Sequence, residues 1–441
     1  MNQDFMKTKP IFPLVLSMSL PMMLSMLINS LYNIIDSMFV ARIGEDALTA
    51  VSLVYPLQTL VVSISVGFGV GINAAVAFFL GAGEKENADR SAAQGLLLSL
   101  LHGALLSVGG FLCIPYFLPL FTSDARILDW GMEYAYIVLS FSMVITVQIA
   151  FEKIYQAVGN MLVPMVCMAA GCITNIILDP VFIFGLGPIP RLEVKGAAIA
   201  TVIGQVVTLI LYLIWYFCKD MGLSLGRRNM KLTGEICGKL YTVGVPCSLT
   251  MGLPSLLITV LNGFAAAFSP VYILILGVYF KLQSFIYLPA NGIVQGMRPI
   301  LSYNYGAGEK KRMRRIIQIC SVMILVIMAA GMLLFLLAPG IIMKLFTADV
   351  VTVREGSAAL RIISLGFVVS GVSVICSGAL EALGKGLCLL PYLPAAVSGP
   401  DRARRLAGHP NRRGHGHLDR FSGSRVPHRN CSGCDFCRNL P

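Results

Sequence analysis

Charged residues are scarce in this chain, and their scarcity excludes an ordinary water-soluble domain. Asp, Glu, Lys and Arg together make up 13% of the 441 residues, whereas a soluble domain carries about 25% charged residues. Hydrophobic residues reach 56% and collect in runs that exceed the roughly 20 residues needed to span a bilayer. Only helices of this length satisfy their own backbone hydrogen bonds in lipid, so the composition predicts an all-α polytopic membrane protein.

Histidine and paired cysteine are also missing from most of the chain. Residues 1–386 contain a single histidine, and their eight cysteines stand apart from one another in apolar segments. We therefore expect no disulfide framework, no resident metal and no cofactor. The same residues show no pairing of a nucleophile with a general base, so we expect a protein that is not an enzyme.

Ten apolar runs are long enough to span a bilayer, and we predict a membrane helix for each. The N-terminal ten residues are polar and the first run lacks a small-residue cleavage site, so we interpret it as a retained helix and not as a signal peptide. The runs cover residues 11–41, 48–80, 92–119, 131–158, 162–186, 196–218, 237–267, 270–302, 316–338 and 357–383.

Lysine and arginine are unevenly distributed between the predicted loops. The N-terminus and the even-numbered loops carry 14 of them, against six in the odd-numbered loops. By the positive-inside rule the N-terminus is cytoplasmic. The net charge of +12 is then mostly a signal of topology, and it gives no reason to expect nucleic acid as a partner.

The chain repeats itself at a constant offset of 225 residues. Gly-Ala-Gly-Glu-Lys at 81–85 returns at 306–310, and Gln58 returns as Gln283. An even number of spans in each copy makes the copies parallel, related by an axis along the membrane normal, with a substrate site between them. We therefore predict two parallel six-helix lobes, the mark of a secondary transporter. Residues 1–225 form the N-lobe with helices 1–6, and residues 226–386 form a C-lobe with helices 7–10.

The second copy is interrupted after residue 386. From Leu387 onward there are nine arginines and no lysine, and no span-length apolar run follows. We interpret residues 387–441 as a non-native tail that a frameshift near codon 385 produced, which truncates the C-lobe to four helices. A natural basic tail is the alternative, but it does not explain why the repeat breaks within a copy. Three cysteines in this tail, Cys431, Cys434 and Cys437, have the spacing of a metal motif, and in this context we expect no metal there.

Two aspartates lie inside predicted spans, where an ionisable side chain costs about 2.5–3.5 kcal/mol at mid-helix. Asp36 ends a polar stripe on span one, and Asp179 follows Asn175 by one helical turn on span five. Each aspartate precedes by six to eight residues the glycine that ends its helix, so we expect both at similar depth in the outer half of the N-lobe. The other members of the stripe are Asn29, Tyr32 and Asn33.

Two carboxylates close together in a low dielectric cannot both stay ionised without a large energetic cost. Such a pair can bind and release a proton, or hold Na⁺ with the help of amide and hydroxyl oxygens. Thr201 and Gln205, one turn apart on span six, are candidates for supplying those oxygens. The alternative is that Asp36 and Asp179 only hydrogen-bond between helices, which asparagine or serine would do at lower cost.

The second copy carries different polar residues. The position that matches Asp36 is Leu261, whereas Lys281 and Gln283 lie on span eight. A lone ammonium inside a span needs a carboxylate, carbonyl oxygens or water. Lys281 and Gln283 are therefore candidates for lining the substrate cavity, with structural pairing of Lys281 as the alternative. The first copy adds three further cavity candidates, Tyr32, Asn33 and Gln205. Four more charged residues lie toward the cytoplasmic ends of their helices. We expect Arg298 to extend its charge to the membrane surface, and we expect a structural role for Glu152, Lys153 and Glu381.

Prolines occupy equivalent positions in spans one and seven, at Pro21 and Pro246. A proline inside a helix removes a backbone hydrogen bond and allows a bend. In a transporter this bend can be the moving part, and in a static bundle it is only a kink. We favour a moving part for Pro21, because Asp36 lies on the same helix.

Several segments together resemble the multidrug and toxic compound extrusion (MATE) family, in its bacterial branch. They are Asn33-x-x-Asp36, Asn175-x-x-x-Asp179-Pro180, Gly-Ala-Ala-x-Ala-Thr at 196–201, and the stretch from Lys281 to Ala307. The resemblance covers about residues 11–385. It implies two six-helix lobes around a central cavity in the bacterial cytoplasmic membrane, a monomer, and exchange of H⁺ or Na⁺ for organic cations. It also implies a coupling-ion site formed by Asp36, Asn175, Asp179 and Thr201.

We therefore expect a cation-coupled antiporter that exports drugs by alternating access. One rival is a flippase for lipid-linked precursors, which would need a more basic cavity for phosphates than two aspartates and one lysine provide. The other rival is a non-functional product of a frameshifted gene, which predicts that this chain gives no stable protein.

Overall fold

The computed structural model describes residues 3–185, 189–268, 270–344 and 349–388, without the side chains of 254–274. Within these residues the chain forms α-helices and short 3-10 turns and no strand. The α-helices of this part of the chain are α1 (Phe5–Thr8), α2 (Ile11–Ala41), α3 (Glu45–Gly81), α4 (Lys85–Phe117), α5 (Ala125–Ser140), α6 (Ser142–Ala157), α7 (Leu162–Phe184), α8 (Glu193–Cys218), α9 (Gly234–Phe268), α10 (Pro270–Gly306), α11 (Lys310–Leu337), α12 (Pro339–Lys344), α13 (Val350–Ser364) and α14 (Gly366–Ala382).

The long helices have the length and composition of membrane spans. In the described part of the chain, six pass this test as single helices, namely α2, α3, α4, α7, α8 and α11. The pairs α5–α6 and α13–α14 pass it together, although they bend by 45° and 44° at their breaks. Helices α9 and α10 contain 35 and 37 residues. Each predicted span thus overlaps a helix or a bent pair, and the prediction of an all-helical membrane protein is confirmed.

The sequence repeat is also a repeat of structure. Helices α3 and α10, α4 and α11, and α5 and α13 each begin 225 residues apart. Asp124 and Asp349 occupy the same position in the two copies, and each caps its helix by accepting a backbone N–H bond. Gly83 and Gly308 follow α3 and α10 with left-handed φ angles of +77° and +73°. The two copies therefore fold alike as far as α14.

The copies meet closely at one end of the bundle. This end, called the basic end below, carries the N-terminus and the turns at 82–84, 158–161, 219–233 and 307–309. A Cβ atom on Gly81 would overlap the carbonyl oxygen of Tyr303, and one on Gly306 would overlap that of Phe78. These two contacts are equivalent under the repeat. Glycine is required at both because α3 and α10 touch through their backbones, so the basic end is closed.

A short N-terminal strap, residues 4–9, covers this end. Met6 is fully buried, and its carbonyl oxygen accepts hydrogen bonds from Asn304 Nδ2 at 3.1 Å and from Arg312 Nη2 at 3.3 Å. The Phe5 ring packs on Gly159, in the turn between α6 and α7. The strap therefore joins the first copy to the second across the closed end.

Two expectations fall outside the described residues. The interpretation of residues 387–441 as a non-native tail stays a prediction, because the description ends at residue 388. Leu261, the counterpart of Asp36, lies on α9 in the stretch whose side chains are not described.

Candidate functional site

Asp36 and Asp179 lie side by side where α2 packs on α7. Their carboxyl groups are within hydrogen-bonding reach of each other. Asp179 is fully buried, and Asp36 is partly buried. Both residues lie near the ends of their helices opposite the basic end, since α2 ends at Ala41 and α7 at Phe184.

Small residues bring a third helix to this pair. A Cβ atom on Gly196 would lie 2.5 Å from the carbonyl oxygen of Phe182, and one on Gly204 would lie 2.8 Å from that of Gly171. Helices α7 and α8 therefore approach each other through glycine. This approach places Asn175 beside Thr201, and Asn175 Nδ2 donates a hydrogen bond of 3.3 Å to Thr201 Oγ1.

Two tyrosines complete the group. The side chains of Tyr32 and Tyr134 both lie near Thr201. Gln58 Nε2 lies 3.4 Å from the Tyr134 hydroxyl and donates to it. Tyr134 was not among the sequence candidates, because a tyrosine in an apolar span carries no signal that separates it from a packing residue. Gln58 does carry a signal, since it is a polar side chain inside a span, but its repeat position does not identify its partner.

The buried oxygens of this group lack hydrogen-bond donors. Within the described residues no donor reaches either carboxyl oxygen of Asp179, Oδ1 of Asp36 or Oδ1 of Asn175. Oε1 of Gln205, one turn along α8 from Thr201, also has no hydrogen-bond donor within the described residues. An unsatisfied buried acceptor costs about 1–3 kcal/mol, so several together favour an added positive partner. The residues fit a proton, or a hard cation such as Na⁺ that binds oxygen. We call Tyr32, Asp36, Tyr134, Asn175, Asp179 and Thr201 the acidic site.

Three of the candidate residues lie apart from the acidic site. Asn33 is exposed, and its Nδ2 donates to the carbonyl oxygen of Asn29 at 2.7 Å. On α10, Lys281 is exposed and Gln283 is partly buried. No contact described in this structure joins Lys281 or Gln283 to the acidic site.

The two candidate prolines lie inside continuous helices. Ser25 Oγ donates to the carbonyl oxygen of Pro21 at 2.9 Å on α2, and Thr250 Oγ1 donates to that of Pro246 at 2.8 Å on α9. The hydroxyl occupies the same repeat position in both copies. Each helix thus lacks one backbone hydrogen bond at its proline.

An apolar groove lies beside Pro21, where α2 of the first copy faces α10 of the second. Its volume is about 540 Å³, which is within the range of roughly 300–1,000 Å³ that small-molecule sites occupy. It is lined by Leu20, Pro21, Met23, Leu24, Leu27, Met165, Phe285, Leu288 and Pro289. The groove and the acidic site share α2, so a movement of this helix affects both.

Four charged residues near the basic end form two ion pairs inside the bundle, so the expectation that Arg298 extends to the membrane surface is wrong. Glu152 and Lys153 are 8% and 3% exposed, and Lys153 Nζ lies 2.8 Å from Glu152 Oε1. Arg298 forms an ion pair with Glu381, which is 3% exposed. The position of these residues along their helices does not predict which carboxylate each cation pairs with. Inside the bundle each cation is neutralised by a carboxylate and has no need to reach the membrane surface.

Comparisons with known proteins agree with this architecture. A family model described as MatE matches residues 21–181 and 246–393, that is, both copies. The multidrug export protein MepA of Staphylococcus haemolyticus is 26% identical over 383 residues, which are 87% of this chain and 84% of that protein. MepA of Staphylococcus aureus is 27% identical over 393 residues, and the match again covers 87% of this chain and 84% of that protein.

Solved structures show the same fold. An outward-facing multidrug resistance MATE transporter of the MOP superfamily superposes with a TM-score of 0.82 at 25% identity, covering 89% of this chain and 86% of its own. A MATE protein in a straight conformation superposes with a TM-score of 0.83 at 26% identity, and the match covers 89% of this chain and 86% of that protein. The third structure is a MOP superfamily transporter from Pyrococcus furiosus, which is described as having a binding pocket of reverse polarity. It superposes with a TM-score of 0.83 at 24% identity, and the match covers 90% of each chain.

Proposed function

The chain belongs to the MatE family, and on that premise we propose that it exports organic cations across the bacterial cytoplasmic membrane in exchange for H⁺ or Na⁺. Its similarity to multidrug export proteins supports efflux of drugs as the activity. Residues 1–225 are taken as the N-lobe and residues 226–386 as the C-lobe, with the basic end in the cytoplasm. The protein acts as a monomer on small molecules and requires no cofactor.

The buried oxygens without donors are the observation that carries the proposal. A proton held between Asp36 and Asp179 would satisfy one oxygen of each carboxyl group. A sodium ion would take oxygen ligands from Asp36, Asn175, Asp179 and Thr201. Either ion removes the repulsion between the two aspartates, so the site binds a cation in preference to standing empty.

Ion binding is coupled to drug release through α2. With the site empty, repulsion between the carboxylates pushes Asp36 away from α7. With an ion bound, both carboxyl groups are drawn to it, and α2 moves toward α7 by bending at Pro21. Because α2 also lines the apolar groove, this bend changes the space that a drug occupies. The ion thereby favours one conformation over the other, which is the requirement for coupling.

The charges of the molecule do not favour a flippase for lipid-linked precursors. Phosphate groups need cations that are available to bind them. Lys153, which is buried, and Arg298, which is partly buried, are each paired with a carboxylate. Lys281 remains as one lysine among the cavity candidates, against the two aspartates of the acidic site. The remaining rival, a non-functional frameshift product, predicts that the chain does not accumulate in the membrane.

The test is ethidium efflux from energised cells that carry Asp36→Asn. We expect efflux to fall to the level of cells without the transporter, while the amount of protein in the membrane is unchanged. Asp46→Asn, the same change at an exposed carboxylate in the first turn of α3, is the control and should retain efflux. Wild-type efflux from Asp36→Asn would refute the proposal.

A further inference from the structure

Lys153 is a buried cation whose ammonium hydrogens are all accounted for. Its Nζ donates to Glu152 Oε1 at 2.8 Å and to Gln156 Oε1 at 3.1 Å. A third bond of 3.3 Å goes to Gln295 Oε1. An ammonium has three donors, so this one is fully satisfied. Glycine at position 69 makes room for it, since a Cβ atom there would lie 2.8 Å from Lys153 Cγ.

The three acceptors do not belong to the same part of the molecule. Glu152 and Gln156 lie on α6 together with Lys153, whereas Gln295 lies on α10, in the second copy. The bond from Lys153 to Gln295 therefore crosses the boundary between the copies. A second ion pair among the described residues, between the partly buried Arg298 and Glu381, joins α10 to α14 and stays within the second copy.

The crossing bond lies where the copies are in close contact. Gln295 precedes Gly296, and a Cβ atom on Gly296 would lie 2.6 Å from Oγ of Ser19 on α2. Ser19 is fully buried, so water does not reach this part of the boundary. If α10 separates from α2 and α6 on the side of the basic end, Lys153 loses Gln295 and gains water. The bond to Gln295 therefore stabilises only the closed arrangement.

We propose that Gln295 is a positioning residue that holds the cytoplasmic side of the transporter closed by accepting the third hydrogen bond of Lys153. The inference rests on the alternating access of the proposed function. It assigns a role to a buried charge that ion coupling at the acidic site does not use. Lys153 remains paired with Glu152 in both arrangements, so the ammonium is never left without a counter-charge.

The chain supplies a matched control in Gln156. Both glutamines accept a hydrogen bond from Lys153, and each directs its Nε2 to a methionine sulfur on α2, Met22 for Gln156 and Met26 for Gln295. They differ in that Gln156 is in the same helix as Lys153. Loss of Gln156 therefore weakens the closed and the open arrangement alike, whereas loss of Gln295 weakens only the closed one.

The experiment measures access to the boundary from the cytoplasmic side. Ser19→Cys is introduced into the full chain, and inside-out vesicles are treated with a membrane-impermeant maleimide in the absence of drug. The rate is corrected for labelling of the same chain without Ser19→Cys. Gln295→Leu should raise the labelling rate roughly tenfold, which corresponds to about 1.4 kcal/mol for one hydrogen bond to a charged group. Gln156→Leu should leave the rate within about twofold of the parent chain.

A third variant gives a change of opposite sign. Gln295→Glu places a carboxylate beside the ammonium and strengthens the bond across the boundary, so the labelling rate should fall below that of the parent chain. An unchanged rate in Gln295→Leu, an equal rise in Gln156→Leu, or a rate in Gln295→Glu at or above the parent value would each overturn the proposal. The assay needs neither drug nor ion gradient. A negative result here would overturn the role of Gln295 without bearing on ion coupling, which is tested separately by ethidium efflux from Asp36→Asn.

Discussion

The carboxyl groups of Asp36 and Asp179 meet across the contact of α2 with α7, and no described residue donates a hydrogen bond to Asp179. Two negative charges repel each other strongly where the local dielectric is low. A bound proton or cation replaces this repulsion with attraction. The position of α2 against α7 therefore depends on whether an ion is bound, and this dependence is the physical basis of the proposed coupling.

Loss of the Thr201 hydroxyl should weaken ion binding. Thr201 Oγ1 accepts a hydrogen bond from Asn175 and lies beside both tyrosines of the acidic site. In Thr201→Val we expect the concentration of the driving ion that gives half-maximal efflux to rise about tenfold, since one such contact contributes about 0.5–1.5 kcal/mol. The measurement is ethidium efflux at varied pH and varied Na⁺ concentration.

Thr208→Val is the control for this variant. Thr208 is buried on the same helix, two turns away, and its hydroxyl donates to the carbonyl oxygen of Gly204 at 2.9 Å. The substitution removes a similar hydroxyl at a distance from the aspartates, so the half-maximal concentration should stay the same. An equal shift in both variants would mean that Thr201 supports the packing of α8 and not ion binding.

Pro21→Ala should slow transport, because alanine restores the backbone donor and strengthens α2 where the bend is required. We expect efflux to fall about tenfold in rate, for a barrier increase of roughly 1.4 kcal/mol, with membrane protein levels maintained. Pro246→Ala is the matched control at the equivalent position of α9. Since α9 carries Leu261 in place of the aspartate, its effect should be smaller. Equal losses in the two variants would contradict a special role for the bend in α2.

The sequence was sufficient to predict the order of the helices and the pairing of the aspartates. The constant offset located the second copy, and the distances of Asp36 and Asp179 from helix-ending glycines indicated a similar depth. The break between α5 and α6 at Phe141 was not predicted, because neither proline nor glycine marks it. The partners of Lys153 were not predicted either, because contacts between helices depend on packing, and helical periodicity does not show how helices pack.

The strap should contribute to the stability of the whole bundle. Met6→Asp places a charge at a position that is fully buried, and burying an unpaired charge is strongly unfavourable. We expect the apparent Tm in detergent to fall by at least about 5 °C. Thr8→Asp introduces the same residue at an exposed position of the strap and should leave the Tm within about 1 °C of wild type. A wild-type Tm for Met6→Asp would show that the strap is not held at the basic end.

The central claim is that Asp36 and Asp179 couple drug movement to an ion gradient, and reconstituted vesicles test it most directly. Purified protein in liposomes is given an H⁺ gradient or a Na⁺ gradient, and ethidium accumulation against its own gradient is followed by fluorescence. We predict that one of the two gradients drives accumulation by the wild type, and that Asp36→Asn and Asp179→Asn each abolish it while ethidium still binds. Driven accumulation in either variant at the wild-type rate would contradict the account.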